Sequence, residues 1–277
     1  MINGHTQLFG VLGTHVQHSL SPIMHNAGYQ ARGINAVYVP LRASAVQDAF
    51  AGLKALGFTG VSVTVPHKET IMPMLDVIDP VAKKIGAVNT LVFSRKEEGT
   101  VCCLGTNTDW IGANQALAEV ATLAGSKVLV LGAGGAARAI GFGLQEAQAE
   151  VYLANRSEDK GRKLAAELGC NFVSLQDLPA LRADILVNAT AVGMAPEANK
   201  TPIDATFLRH FSVVMDIVYA PLKTRLLQEA EAQGCVTVSG VNMLLYQAME
   251  QWRLWFGEEA PKAAMREALA QSLVQKP

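Results

Sequence analysis

Charge is scarce in this chain: Asp, Glu, Lys and Arg make up 17% of its 277 residues and nearly cancel, leaving a net charge of -1. So balanced a composition offers no basic face for nucleic acid or an anionic membrane. Aromatic residues are also few, at 6%, yet half of the residues are hydrophobic, which excludes a disordered chain and suits buried α/β sheet. The four cysteines, Cys102, Cys103, Cys170 and Cys235, show no CxxC spacing, and neighbouring Cys102 and Cys103 would face opposite sides of a strand. Four buried thiols are expected rather than disulfides or a metal site. His15 and His18 form an HxxH without a nearby carboxylate or cysteine, so no zinc site is expected. No GxSxG elbow is present, which argues against serine hydrolase chemistry. Long apolar runs are missing too: the most apolar window, VLVLGAGGAARAIGFGL, is broken by Arg138 and by glycines. The opening MINGHTQLFG has no basic region leading into an apolar one, so a signal peptide is not expected and a cytoplasmic enzyme is.

What is present is a regular alternation of strand-like and helical patterns, which argues for parallel sheets with crossover helices. The length favours two domains. Strands are expected near 7–12, 35–40, 60–65, 87–93, 100–105, 127–131, 150–154, 184–188, 212–217 and 235–238. One helix is expected across 107–126, where NTDWIGANQALAEVATLAG leaves the first sheet. The tail is helical through NMLLYQAMEQWRLWFG and PKAAMREALAQSLVQK, and pattern alone does not decide on which sheet it packs. Nor does it separate a monomer from a homodimer.

KVLVLGAGGAARA is a short apolar strand running into Gly132, Ala133, Gly134, Gly135, Ala136 and Ala137, then an alanine-rich helix. Gly132 suits the tight turn, Gly134 lets backbone approach a pyrophosphate, and Ala137 takes the third small position where helix meets strand. The helix N-terminus then offers free N–H groups to phosphate. An NAD enzyme would end its second strand with a carboxylate; here VYLANRSEDKGRK places Asn155, Arg156 and Ser157 at the strand tip, with Lys160 a turn later. Cations without a carboxylate favour a 2′-phosphate, hence NADP. The alternative is that Arg156 simply starts the next helix as a solvated charge. Asp184 lies too far along the chain to replace the missing acid.

In GVSVTVPHKE, Val61, Val63 and Val65 share one strand face, while Ser62 and Thr64 share the other and direct two hydroxyls toward the C-terminal end, where open α/β sheets bind ligands. Pro66 ends the ladder, and His67 and Lys68 turn out at the mouth of a crevice. Ser19 and Ser21 in HSLSPIMHN are spaced to face one ligand, or to cap the helix that follows. Asn89 in GAVNT suits either a ligand or a turn, and Asn107 and Asp109 follow in GTNTDW. Uncharged donors and acceptors in this number suit a small polyhydroxylated molecule. A nicotinamide cofactor beside it implies hydride transfer between alcohol and ketone, with Lys68 and Asp109 as candidates for handling the proton.

Nine segments, HSLSPIMHN, VSVTVPHK, GAVNT, NTD, GAGGAARA, NRS, NATAVGM, DIVYAPLKTRLL and GVNMLLYQA, stand in the order in which the shikimate dehydrogenase family carries them, and the chain resembles that family over nearly its whole length. The resemblance implies NADPH-dependent, reversible reduction of 3-dehydroshikimate to shikimate, with Lys68 and Asp109 as the catalytic pair. It implies substrate contacts from Ser19, Ser21, Ser62, Thr64, Lys68, Asn89, Asp109, Tyr219 and Gln247. Asn155, Arg156, Ser157 and Lys160 resemble the 2′-phosphate clamp, and Ala191, Ile217, Tyr219, Gly240 and Met243 the nicotinamide side of the cleft. It also implies a substrate domain of 1–108 with 243–277, closed by C-terminal helices that return to it, and a Rossmann-like domain of 109–242. Three positions depart from the pattern or lack a role. Ser62 stands where the family often has Asn, which leaves one substrate hydrogen bond lost or made through water. Lys160 stands where a second arginine is common, which keeps charge but loses bidentate geometry and predicts weaker discrimination against NAD. Trp110 has no assigned role beyond packing against its loop. Two rivals follow: a quinate dehydrogenase sharing fold and catalytic pair, and a catalytically silent NADP-binding regulatory protein.

Overall fold

The computed structural model describes residues 2–274, which form two compact units: 2–108 with 247–274, and 109–246. The strands are β1 (Gln7–Gly13), β2 (Ala36–Arg42), β3 (Gly60–Val63), β4 (Val77–Ile78), β5 (Thr90–Arg95), β6 (Val101–Thr106), β7 (Lys127–Leu131), β8 (Glu150–Ala154), β9 (Asn171–Phe172), β10 (Ile185–Asn188), β11 (Val213–Asp216) and β12 (Val236–Ser239). The helices are α1 (Ser21–Arg32), α2 (Val46–Ala55), α3 (His67–Thr70), α4 (Pro80–Ile85), α5 (Asp109–Ala118), α6 (Gly135–Glu146), α7 (Glu158–Leu168), α8 (Arg225–Ala232), α9 (Gly240–Phe256) and α10 (Lys262–Val274).

The first unit holds a mixed sheet in the order β2-β1-β3-β5-β6-β4, parallel except where β5 runs against β3 and β6. Helix α1 shows how the sequence builds it. Pro22 fits the first turn, Gly33 ends the helix at φ 66°, and Ser21, Met24, His25, Gly28 and Tyr29 form its buried stripe at i, i+3, i+4, i+7 and i+8. Gly28 lets α1 approach closely: a Cβ there would meet the Trp252 ring of α9 at 2.8 Å and Met265 of α10 at 3.4 Å. Trp252 is fully buried, and its ring lies 5.4 Å from that of Tyr29, so the C-terminal helices are part of this unit's core. The end of the expected second tail helix, Gln275 and Lys276, lies outside the described residues.

The second unit's sheet is all parallel, in the order β12-β11-β10-β7-β8-β9, so that its strands counted along the chain read 3-2-1-4-5-6 from the β9 edge. That is the doubly wound dinucleotide-binding order, with its direction reversing between β7 and β10. The continuous apolar runs of β7, β10 and β11 are buried on both faces, as parallel strands beneath helices require.

Several expectations are corrected. The strand expected at 60–65 stops at Val63, and Val65 is 60% exposed rather than facing inward with Val61 and Val63. The strand expected at 87–93 starts at Thr90, because the N–H groups of Val88 and Asn89 go to Lys68 O and Thr106 O. The helix expected over 107–126 spans only Asp109–Ala118, and Gly125 turns the chain at φ 76° before β7. The two-residue strands β4 and β9 are too short for any alternation to show. Of the four thiols, Cys103 and Cys235 are buried while Cys102 and Cys170 are half-buried; all four are free. Trp110 packs on α6 rather than on its own loop, meeting the Phe142 ring edge-on at 5.7 Å.

Candidate functional site

In the first unit the candidate residues gather where β3, α3, the 87–89 segment and α9 end or pass. Lys68 lies in the single turn of α3, whose carbonyl accepts from Val88 N–H at 2.8 Å and so ties the lysine to the segment carrying Asn89. His67, expected to turn outward, is instead buried, with Nε2 2.8 Å from the Ala43 carbonyl oxygen; it holds α3 in place and leaves Lys68 half-buried. Thr64 packs over Gly13, where a Cβ would meet its methyl group at 2.5 Å, and Thr64 N–H still bonds Leu12 O at 2.9 Å. Leu20, not a serine, is the N-cap of α1; half-buried Ser19 accepts from the Ser21 N–H at 3.3 Å, and Ser21 is buried at the helix start.

Asn89 is buried among polar partners. Its Oδ1 accepts from Thr108 N–H at 2.7 Å and from the Thr90 hydroxyl at 2.7 Å, and its Nδ2 donates to Thr108 Oγ1 at 3.0 Å and toward Gln247 Oε1 at 3.4 Å. Asn107 is also buried and donates to Ala87 O at 2.8 Å, which pins the 87–89 segment from the other side. The Ser62 hydroxyl is not presented with Thr64 at the strand end: it accepts from Tyr38 at 2.7 Å and donates to Gln251 at 2.8 Å inside the core. Gln251 escapes sequence reading because an amide on a helix face otherwise lined by Trp252 and Ala248 carries no signature of its own.

In the second unit Gly132 leaves β7 with φ 126°, a conformation that favours glycine, and a Cβ there would lie 3.1 Å from Ala189 O at the end of β10. A Cβ on Gly134 would meet nothing within 4 Å, so the backbone at the N-terminus of α6 is open to a ligand. Ala133 and Ala136 flank this turn with Gly135, and Ala137 is fully buried against the sheet. At the tip of β8, Asn155 Nδ2 donates to Ser157 O at 2.8 Å, shaping the turn that exposes Arg156, Ser157 and Lys160. Neither Arg156 nor Lys160 forms an ion pair among the described residues. Asp184 accepts from Lys127 N–H at 2.8 Å, at the opposite end of β7 from the glycine turn.

Beyond β10 and β11, a buried polar knot holds the loops that carry Ala191, Ile217 and Tyr219. Asp216 Oδ1 accepts from Asn188 Nδ2 at 2.9 Å and Val218 N–H at 3.0 Å, and its Oδ2 accepts from the Thr224 hydroxyl at 2.6 Å. Burial pushes the Asp216 carboxyl up to about 6 against those hydrogen bonds. Neither Asp216 nor Asn188 was singled out from sequence, although they lie in the DIVY and NAT segments; each is the last residue of an apolar strand, where a polar residue reads as a loop start. Gly240 packs on the same region, since a Cβ would meet Ile217 O at 2.3 Å, and Met243 is buried one turn on. Asp109 is buried at the first turn of α5, where the helix dipole favours a carboxylate.

The description "Shikimate dehydrogenase substrate binding domain" matches residues 11–91, "Shikimate / quinate 5-dehydrogenase" matches 114–205, and "Shikimate 5'-dehydrogenase C-terminal domain" matches 240–270. A protein of Pyrococcus furiosus named shikimate dehydrogenase (NADP(+)) is 45% identical, covering 96% of each chain. A shikimate 5-dehydrogenase of Thermus thermophilus, solved with NADP(H) and shikimate, superposes with a TM-score of 0.87 at 38% identity over 97% of this chain and all of that one. A quinate dehydrogenase of Corynebacterium glutamicum, solved with NAD, superposes at 0.85 with 31% identity over 96% of this chain and 99% of that one. With similarity this close over both units and in unbroken order, the chain belongs to the shikimate dehydrogenase family.

Proposed function

We infer that this protein is an NADP-dependent shikimate dehydrogenase, an oxidoreductase that interconverts shikimate and 3-dehydroshikimate. What carries the reading is similarity at 45% identity, over 96% of the chain, to a relative named for that activity with that cofactor. The second unit fits the cofactor on its own terms: a glycine turn at the reversal of strand order, open backbone at Gly134, and an exposed guanidinium with no carboxylate at the tip of β8. Gly132, Ala133, Gly134, Gly135 and Ala136 would hold the pyrophosphate, and Asn155, Arg156, Ser157 and Lys160 the 2′-phosphate. Ala191, Ile217, Gly240 and Met243 would line the nicotinamide. When bound, the nicotinamide supplies the carbon that accepts or returns a hydride.

The chain's own residues handle the substrate and its proton. Ser19, Ser21, Thr64, Asn89, Tyr219 and Gln247 bind the carboxylate and hydroxyls of the ring. During oxidation Lys68 takes the proton from the reacting hydroxyl as its carbon gives up a hydride; during reduction it returns the proton to the carbonyl oxygen. Asp109 accepts from a neighbouring substrate hydroxyl. The four free thiols suit a reducing cytoplasm. Incubation with shikimate and NADP+ should yield a product lighter by two hydrogens, identified by mass; absence of that product with active, folded protein would refute the reading.

A further inference from the structure

One backbone group fixes the direction of a buried hydrogen-bond chain running from Asn89 to Tyr38. Thr108 N–H can only donate, so the Asn89 atom 2.7 Å away is Oδ1. The Thr90 hydroxyl, 2.7 Å from the same oxygen, must then give its proton to Asn89. Having spent its proton, Thr90 can only accept from Gln251, which places Nε2 of Gln251 at that 2.9 Å contact and Oε1 at the other end. Ser62 therefore donates to Gln251 Oε1, and Tyr38 donates to Ser62. Every member is buried, and Gln251, fully so, also reaches the Asn89 carbonyl at 3.5 Å.

We propose that Gln251 is a positioning residue for substrate binding, holding Asn89 with its amide nitrogen toward Gln247, and that Ser62 acts through Gln251 instead of touching the substrate. This rests on the reading of Asn89 and Gln247 as substrate contacts. The shorter Ser62 then loses no substrate bond, because its hydroxyl completes the support behind Asn89. Without Gln251, the Thr90 hydroxyl is free to rotate away from Asn89 Oδ1, and one of the two short bonds that orient the amide is lost.

Steady-state kinetics on Gln251→Met, Thr90→Val and the double variant test this, with melting temperatures measured alongside. Each single change should raise KM for shikimate by roughly three- to tenfold, the effect of one net hydrogen bond, and leave KM for NADP+ and kcat within about twofold. The double variant should be no worse than the worse single, since both cut one chain. Ser62→Ala should add nothing in the Gln251→Met background. Trp252→Phe, which loosens α9 beside the chain without cutting it, should lower the melting temperature and leave KM unchanged. Folded Gln251→Met and Thr90→Val with unaltered KM for shikimate, multiplying effects in the double, or an equal KM rise in Trp252→Phe would each overturn the proposal. A further KM rise from Ser62→Ala in the Gln251→Met background would return Ser62 to the substrate. Asn89→Ala separates the two levels: if it raises KM for shikimate while Gln251→Met and Thr90→Val do not, only the relay fails; if it too leaves KM unchanged, the reading of Asn89 fails and the relay with it.

Discussion

Arg156 stands exposed at the end of β8, and the proposed function gives it one task, to pair with a 2′-phosphate. Arg156→Ala should raise KM for NADP+ about tenfold to a hundredfold, the worth of charge-assisted hydrogen bonds, while rates with NAD+ stay as they were. Equal losses with both nucleotides would remove that role. Lys68 makes a contrasting prediction. Lys68→Ala should cut kcat by roughly 10²–10⁴ while shikimate still binds, and near-normal turnover would rule it out as the proton carrier. At this scale the sequence was legible in one local respect: Arg156 follows the end of β8 and is exposed there, as the pattern VYLANRSEDKGRK suggested. It misled where packing decides: His67 and Ser62 both read as polar groups facing out, yet both are buried because their hydrogen-bond partners, Ala43 O, Tyr38 and Gln251, come from distant elements.

Among the elements, α9 links local packing most directly to the candidate site. Trp252 fills the space that Gly28 leaves on α1, while Gln247 and Gln251 of the same helix meet Asn89 and Thr90. Trp252→Ala should cost about 3–5 kcal/mol of stability, measured by urea unfolding, because a fully buried ring is lost from a filled core. A cost within about 0.5 kcal/mol, the range of surface changes, would mean that α9 is not packed as described. Strand and helix order were readable from hydrophobic alternation, and the glycine turn after β7 gave the dinucleotide unit. The antiparallel placement of β5 was not readable, because a buried strand carries the same apolar pattern in either direction. The end of α5 at Ala118 was equally hidden, since helical propensity persists through Glu119 and only the turn at Gly125 stops the run.

For the whole molecule, acid should act oppositely on the two units. Burial pushes His25 down to about 3, against a smaller pull from Gln251, so the unfolded chain binds a proton below pH 6.5 that the folded first unit refuses. Stability from that residue is intact above 6.5 and is lost as pH falls toward 3, by up to about 1.4 kcal/mol per pH unit. Asp216 in the second unit has the reverse sign: its carboxyl is raised to about 6 from 3.8, so the folded state gains a proton first and is favoured as pH falls through 6 toward 3.8. Hydrogen exchange at pH 7 and pH 5, corrected for intrinsic rates, should show protection falling in β1 and β3 while β10 and β11 hold or gain. His25→Phe should remove the first effect and Asp216→Asn the second; parallel losses in both units would contradict this account.

Initial rates of nicotinamide reduction, followed by the near-ultraviolet absorbance of the reduced cofactor, decide between the activities when shikimate or quinate is paired with NADP+ or NAD+ in all four combinations. Turnover should be dominant for shikimate with NADP+ and weaker but measurable for shikimate with NAD+, because Lys160 keeps charge without an arginine's fork. Faster turnover of quinate, or a preference for NAD+, would contradict the proposed substrate or the role of Arg156, and no turnover in any combination would contradict the activity itself.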